Sequence, residues 1–120
     1  MATGDIYHIE VAYDQRAGGK QRYTVEVAKK GLGVVVLDNI TSQYHHKSDF
    51  IKAQYYPIQD WLQAGLKKPS WVDIKSGRTY DLNDIMQHGR YIGQLTFRDV
   101  QALAQFIKSY RSRLAALRKK

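Results

Sequence analysis

Three observations predict an α+β, mainly β fold, a small and strongly bent sheet or barrel with helices packed on it. At least five short segments alternate apolar and polar residues with period two or are enriched in β-branched and aromatic residues. One long amphipathic stripe is confined to the C-terminus. Between them lie polar, glycine-containing loops with no internal repeat, low-complexity stretch or linker. The expectation is a single domain over residues 1–120, large enough for a modest core without cross-links.

The elements follow in order. Asp5 to Tyr13 places Tyr7, Ile9, Val11 and Tyr13 on one face and His8 and Glu10 on the other, as a half-buried strand does. After a Gly18-Gly19 loop, Arg22 to Ala28 alternates again, with Tyr23, Val25 and Val27 inward and Arg22, Thr24 and Glu26 outward. Gly33 to Ile40 is nearly all apolar, the pattern of a central strand covered on both faces. Phe50 to Tyr56 has strand composition, and Pro57 then opens two helical turns over Ile58 to Ala64. Ser70 to Lys75 and Arg78 to Leu82 read as short strands around a Ser76-Gly77 turn. Asn83 caps a single helical turn, Asp84 to Gln87. Thr96-Phe97-Arg98-Asp99 opens the last helix as a variant capping box. Its stripe of Val100, Leu103, Ile107, Tyr110, Leu114 and Leu117 predicts one long helix through the basic segment 97–120.

Composition narrows the chemistry. Without cysteine there is no disulfide framework, zinc–thiolate site or thiol nucleophile. No apolar run approaches the ~20 residues of a membrane span, and Met1-Ala2-Thr3-Gly4-Asp5 lacks the basic start of a signal peptide. The expectation is therefore a cytoplasmic protein with no membrane partner. The formal charge of +8 favours a polyanionic partner, but it is uneven. Residues 96–120 hold seven Lys/Arg against Asp99 alone, a balance of +6, which leaves +2 for the rest. Cations in the last turns of a helix also simply offset its dipole.

Chemistry-bearing residues gather at strand ends. Arg22 follows the Gly-Gly loop directly, where a guanidinium can hold a phosphate bidentately, stabilise developing negative charge, and hydrogen-bond or protonate the leaving oxygen. Otherwise it is a surface arginine paired with Glu26 or Asp14. Ile40-Thr41-Ser42-Gln43 closes the apolar strand with two hydroxyls and an amide; parity places only one hydroxyl on the face of Arg22 and leaves open which. Asp73 shares a face with Trp71, so a carboxylate base or base-edge sensor would sit beside a stacking surface. Lys20, Lys67 and Lys68 add charge that attracts a nucleic-acid backbone. His45 and His46 point oppositely in an extended segment and lack companion ligands, so no metal is expected there, and one of the two stands as a minor acid–base candidate. His8 and His88 read as surface residues. Gly31-Leu32-Gly33 is too short for a nucleotide-binding loop, and no cofactor is called for.

Gly4-Asp5-Ile6-Tyr7, Gly19-Lys20-Gln21-Arg22, Val34 to Gln43, Gly65 to Asp73 and Gly93 to Asp99 together resemble, in order and spacing, the MazF/PemK family of toxin endoribonucleases. The resemblance implies a small SH3-like barrel of the type shared with gyrase-poison toxins, and a homodimer. It implies metal-independent cleavage of single-stranded RNA, including mRNA, by 2′-hydroxyl attack. It also implies a cognate antitoxin whose acidic tail occupies the RNA groove. By position, Arg22 matches the phosphate clamp and Thr41 the functional hydroxyl, with Asp73 as acidic partner. Contacts to RNA then fall to Lys20, Ser42, Gln43, His45, Lys67, Lys68 and Trp71. Two departures stand out. Tyr23 follows Arg22 where the family has proline, and Trp71-Val72 replaces an arginine expected just before the acidic residue. The rival expectations are a non-catalytic barrel that poisons a topoisomerase or docks a partner tail, and a basic RNA-binding domain working through its C-terminal helix.

Overall fold

In the computed structural model, which describes residues 2–119, the strands form one six-stranded antiparallel sheet in the order β4-β5-β3-β2-β1-β6. They are β1 (Asp5–Ala12), β2 (Gly19–Gly31), β3 (Val34–Thr41), β4 (Tyr55–Pro57), β5 (Trp71–Asp81) and β6 (Arg90–Gln94). Helices α1 (Asp49–Lys52), α2 (Leu82–His88), α3 (Phe97–Lys108) and α4 (Tyr110–Arg118) complete the described elements.

Both faces of the central strands are used, differently. Ile6, Val25, Ile40 and Val72 point to one face and meet Tyr56, Ile58, Ala64, Leu66, Leu95 and Leu103 in the main core. Tyr7, Ile9, Val35 and Leu37 point to the other face and meet Ile85 of α2 in a smaller cluster. Thr24 and Glu26 therefore do not face outward as the alternation suggests; both are fully buried, because the second face is also packed. Period two marks which residues share a face, and says nothing of whether a helix covers that face.

The two sheet edges are drawn toward each other by the segment after β4. A side chain at Gly65, whose φ of +96° is left-handed, would stand 2.8 Å from the Ile92 carbonyl of β6. A Cβ on Gly93 would lie only 2.3 Å from the Ala64 carbonyl. Backbone thus packs directly on backbone between the β4 and β6 sides, which bends the sheet into a small barrel. The α+β, mainly β architecture is as expected.

Several elements differ from expectation. Phe50 to Tyr56 is not one strand: Ser48 accepts a hydrogen bond from Ile51 N and starts α1, so only Tyr55–Pro57 remains extended. Pro57 ends the edge strand opposite Trp71, where a missing N–H costs no ladder bond, and 59–65 forms consecutive turns rather than a helix. Ser76-Gly77 is no turn but part of a bulge in the continuous β5, with Ser76 Oγ accepting from Asn39 N and donating to the Asp73 carbonyl. Strand β6, five residues containing a glycine, carries too little signal to be read in advance.

The C-terminal stripe is two helices broken at Ser109, not one long helix. Arg113 reaches back across the break, donating to the carbonyls of Ala53 and Phe106 and to Ser109, with its guanidinium 3.5 Å from the Phe106 ring centre. At the start of α3, Thr96 Oγ1 accepts from Asp99 N as a cap. The Asp99 carboxylate does not close the box. It accepts instead from Tyr56 Oη (2.5 Å), Gln59 N (2.9 Å) and Asp60 N (2.8 Å). That contact anchors β4 and the following turns to α3.

Candidate active site

Helix α2 covers only part of the second face, and beyond Leu37 the residues β3 sends to this side are Asn39 and Thr41, both half-buried. The pairs Tyr23↔Ile40 and Thr41↔Trp71, continued one step, bring Arg22, Thr41 and Trp71 into one row across three strands. The neighbouring row runs Thr24, Asn39, Asp73 and Tyr55. Parity thus places Thr41 on the face of Arg22, whereas Ser42, just past the strand, belongs to the opposite side.

Arg22 is half-buried, yet among the described residues it makes no ion pair and no side-chain hydrogen bond. The two carboxylates that would neutralise it are taken. Glu26 is held by Lys29 at 2.9 Å, and Asp14 by Arg78. Thr41 Oγ1 accepts from Gln43 N at 3.0 Å, which leaves its hydroxyl proton free to donate outward. Asp73 Oδ1 accepts from Gln54 Nε2 and Lys75 N, both at 3.0 Å, leaving Oδ2 as the uncommitted carboxylate oxygen. Tyr55 lies among these groups: burial and the Asp73 charge raise its pKa, and the Arg22 charge opposes the rise. One guanidinium, one hydroxyl, one carboxylate and one phenol therefore share a small polar surface.

Aromatic rings border it. Tyr44 stacks on Trp71 with centres 4.6 Å apart and planes within 1°. His45 stands edge-on to both, at 5.4 and 5.6 Å, and Lys52 Nζ lies 5.0 Å from the Tyr44 ring centre. One face of Trp71 is consequently occupied from within the chain.

On the other side of the strand ends lies an open cleft of about 450 Å³. Arg22 and Thr41 form its lip, and Lys20, Ser42, Gln43, Lys67 and Lys68 line it. The structure therefore divides the candidate residues: Arg22, Thr41, Asp73, Trp71 and His45 on the polar surface, the remainder in the cleft. Sequence reasoning missed Tyr44 and Tyr55, and gave no role to His8, a surface residue that lines the cleft. Tyr55 was visible as a residue of matching parity near Pro57; Tyr44, in a loop, carried no periodic signal.

Asp38, only 3 % exposed, lies next to this surface beneath the β5 bulge, where a Cβ on Gly77 would stand 2.9 Å from its Oδ1. Burial first, and the Asp73 charge second, push its pKa up to about 7. A carboxyl raised on folding binds more protons native than unfolded, so it favours the fold most at low pH and loses that contribution as pH rises toward 7. At ~1.4 kcal/mol per pKa unit, the change between pH 4 and 8 is on the order of 3–4 kcal/mol. Asp38→Asn is expected to flatten this dependence and to raise stability at pH 8, measured by urea unfolding across pH. An unchanged pH profile in Asp38→Asn would show that another group governs it.

Among the described residues no cluster of three or more His, Asp or Glu side chains could hold a metal ion, and no helix is long and apolar enough to cross a membrane. No family model and no curated protein matches the chain. Among solved structures it is similar to the Mycobacterium tuberculosis toxin MazF-mt6, with a TM-score of 0.60 at 24% identity over 88% of this chain and 95% of that one. The likeness extends over nearly the whole of both chains and establishes a shared fold.

Proposed function

We propose that this chain is a toxin of the MazF/PemK type, a metal-independent endoribonuclease that cuts single-stranded RNA. The observation that carries the reading is Arg22, half-buried and, among the described residues, without an ion-pair partner, in one row with the Thr41 hydroxyl on a polar sheet surface. An unneutralised guanidinium placed there is suited to a phosphate. The 2′-hydroxyl attacks the adjacent phosphorus, the P–O5′ bond breaks, and the products are a 2′,3′-cyclic phosphate and a 5′-hydroxyl. Arg22 holds the phosphoryl oxygens and stabilises the extra charge of the phosphorane. Thr41 donates to a non-bridging oxygen. Asp73, through Oδ2, accepts the proton released by the attacking hydroxyl, and the leaving 5′-oxygen takes its proton from solvent. RNA is held by Trp71 and His45 on one side of the ridge and by Lys20, Ser42, Gln43, Lys67 and Lys68 on the other. As partners the reading includes a second copy of the chain and an antitoxin with an acidic tail, matched to the formal charge of +8.

Incubation of the purified protein with single-stranded RNA in EDTA tests the reaction. Fragments ending in cyclic phosphate are expected, and none from substrates with 2′-deoxy residues throughout. Intact RNA together with growth arrest on expression would instead favour a binding module. For the contacts, Trp71→Ala is expected to weaken RNA binding about tenfold, the worth of one base stack. Changing Lys67 and Lys68 together to Ala is expected to reduce the salt dependence of log K by about 1.4, two phosphate contacts to a single strand. Titrations at several salt concentrations measure both.

A further inference from the structure

The cleft on the main-core side of the strand ends has a composition that backbone electrostatics alone do not require. Its floor is apolar: Ile40 and Leu66 are buried, and the Tyr23 ring packs against His8 with centres 4.7 Å apart at 56°. Around that floor stand His8, Gln21 and Ser42, whose side chains make no hydrogen bond among the described residues. The lysines stand at the ends of elements, Lys20 at the start of β2 and Lys67-Lys68 before β5. A surface that only tracks phosphates needs the cations but neither the apolar floor nor the free donors and acceptors.

We propose that this cleft takes one unpaired nucleobase of the RNA, next to the scissile phosphate, and selects it through His8 and Gln21. The inference rests on the endoribonuclease reading and adds its sequence-reading pocket. A nucleobase has apolar faces and a polar edge, matching an apolar floor ringed by unpaired amide, imidazole and hydroxyl groups. The volume of about 450 Å³ admits a purine or a pyrimidine with its sugar. The geometry also sets the position. Arg22 and Thr41 are the lip of the cleft and, in the proposed reaction, hold the phosphate. A strand crossing that lip places one base in the cleft and the next nucleotide on the Tyr44–Trp71 side. Tyr23 is central here: where the resembling family has proline, this chain has an aromatic ring on the cleft floor.

The test is cleavage of a randomised single-stranded RNA pool, with cut sites read by sequencing, by wild type, His8→Phe and Gln21→Ala. His8→Phe keeps the ring against Tyr23 while removing its hydrogen bonds, and Gln21 is exposed, so its replacement leaves the core untouched. The expected result is that discrimination at one position flanking the cut falls about tenfold in each variant, with preferences elsewhere retained. Cutting with an unchanged positional profile in both variants overturns the pocket while leaving the enzyme reading standing. If wild type cuts nothing, the enzyme reading fails by itself. The pocket is then judged by NMR: shifts of the His8 ring on adding a 2′-O-methyl oligonucleotide support it, and shifts only with an acidic peptide overturn it.

Discussion

Arg22→Ala is expected to slow RNA cleavage about 10²–10³-fold, the usual consequence of removing one preorganised group that stabilises transition-state charge. Arg22 makes no ion pair among the described residues. It pairs with neither Glu26 nor Asp14, which are engaged by Lys29 and Arg78, so its removal breaks no ion pair. Stability should accordingly change by less than ~1 kcal/mol, as for a surface substitution away from packed features. Arg22→Lys keeps the charge and loses the planar fork, and should recover only part of the rate. Single-turnover rates on a short RNA, beside urea unfolding of each variant, separate the two quantities. Cleavage by Arg22→Ala at the wild-type rate would remove Arg22 from the mechanism. A comparable loss from a large fall in stability would make it a structural residue.

Much of this surface was legible because strands write their faces into the sequence. The alternation around Arg22, Ile40 and Val72 placed Trp71 and Asp73 together and opposite the core, and the structure agrees. What parity alone left open was the phase at a strand end. Only the register Tyr23↔Ile40 decides that Thr41, and not Ser42, faces with Arg22. Other features are tertiary and leave little local trace. The burial of Glu26 depends on α2 arriving over the second face, and the break at Ser109 interrupts a stripe whose apolar spacing continues straight through it. The segment after Pro57 fails for a related reason. Its helical composition is overridden by Asp99, forty residues away, which takes the Gln59 and Asp60 amides.

The same contact supports the largest expected effect on stability. Asp99 is fully buried, and its carboxylate accepts from the Tyr56 hydroxyl and two backbone amides. Asp99→Ala leaves all three donors without their acceptor, at ~1–3 kcal/mol for each unsatisfied group, with relaxation at the two amides, whose bonds are only partly buried. A total of about 3–5 kcal/mol is expected, some 12–20 °C in Tm for a chain of this size. Tyr56→Phe removes one donor rather than the acceptor and should cost only about 1 kcal/mol. The double variant should fall short of the sum, since once Asp99 is gone the Tyr56 hydroxyl has no carboxylate to lose. The functional consequence follows from β4. Tyr56 and Tyr55 are adjacent on that strand, one facing Asp99 and the other beside Asp73. Loosening the anchor should therefore disturb the β4 edge before it unfolds the sheet, so that amides of 55–59 exchange faster in Asp99→Ala than those of β2 and β3. Uniform acceleration across all strands would instead mean that Asp99 stabilises the fold as a whole and holds no separate edge in place.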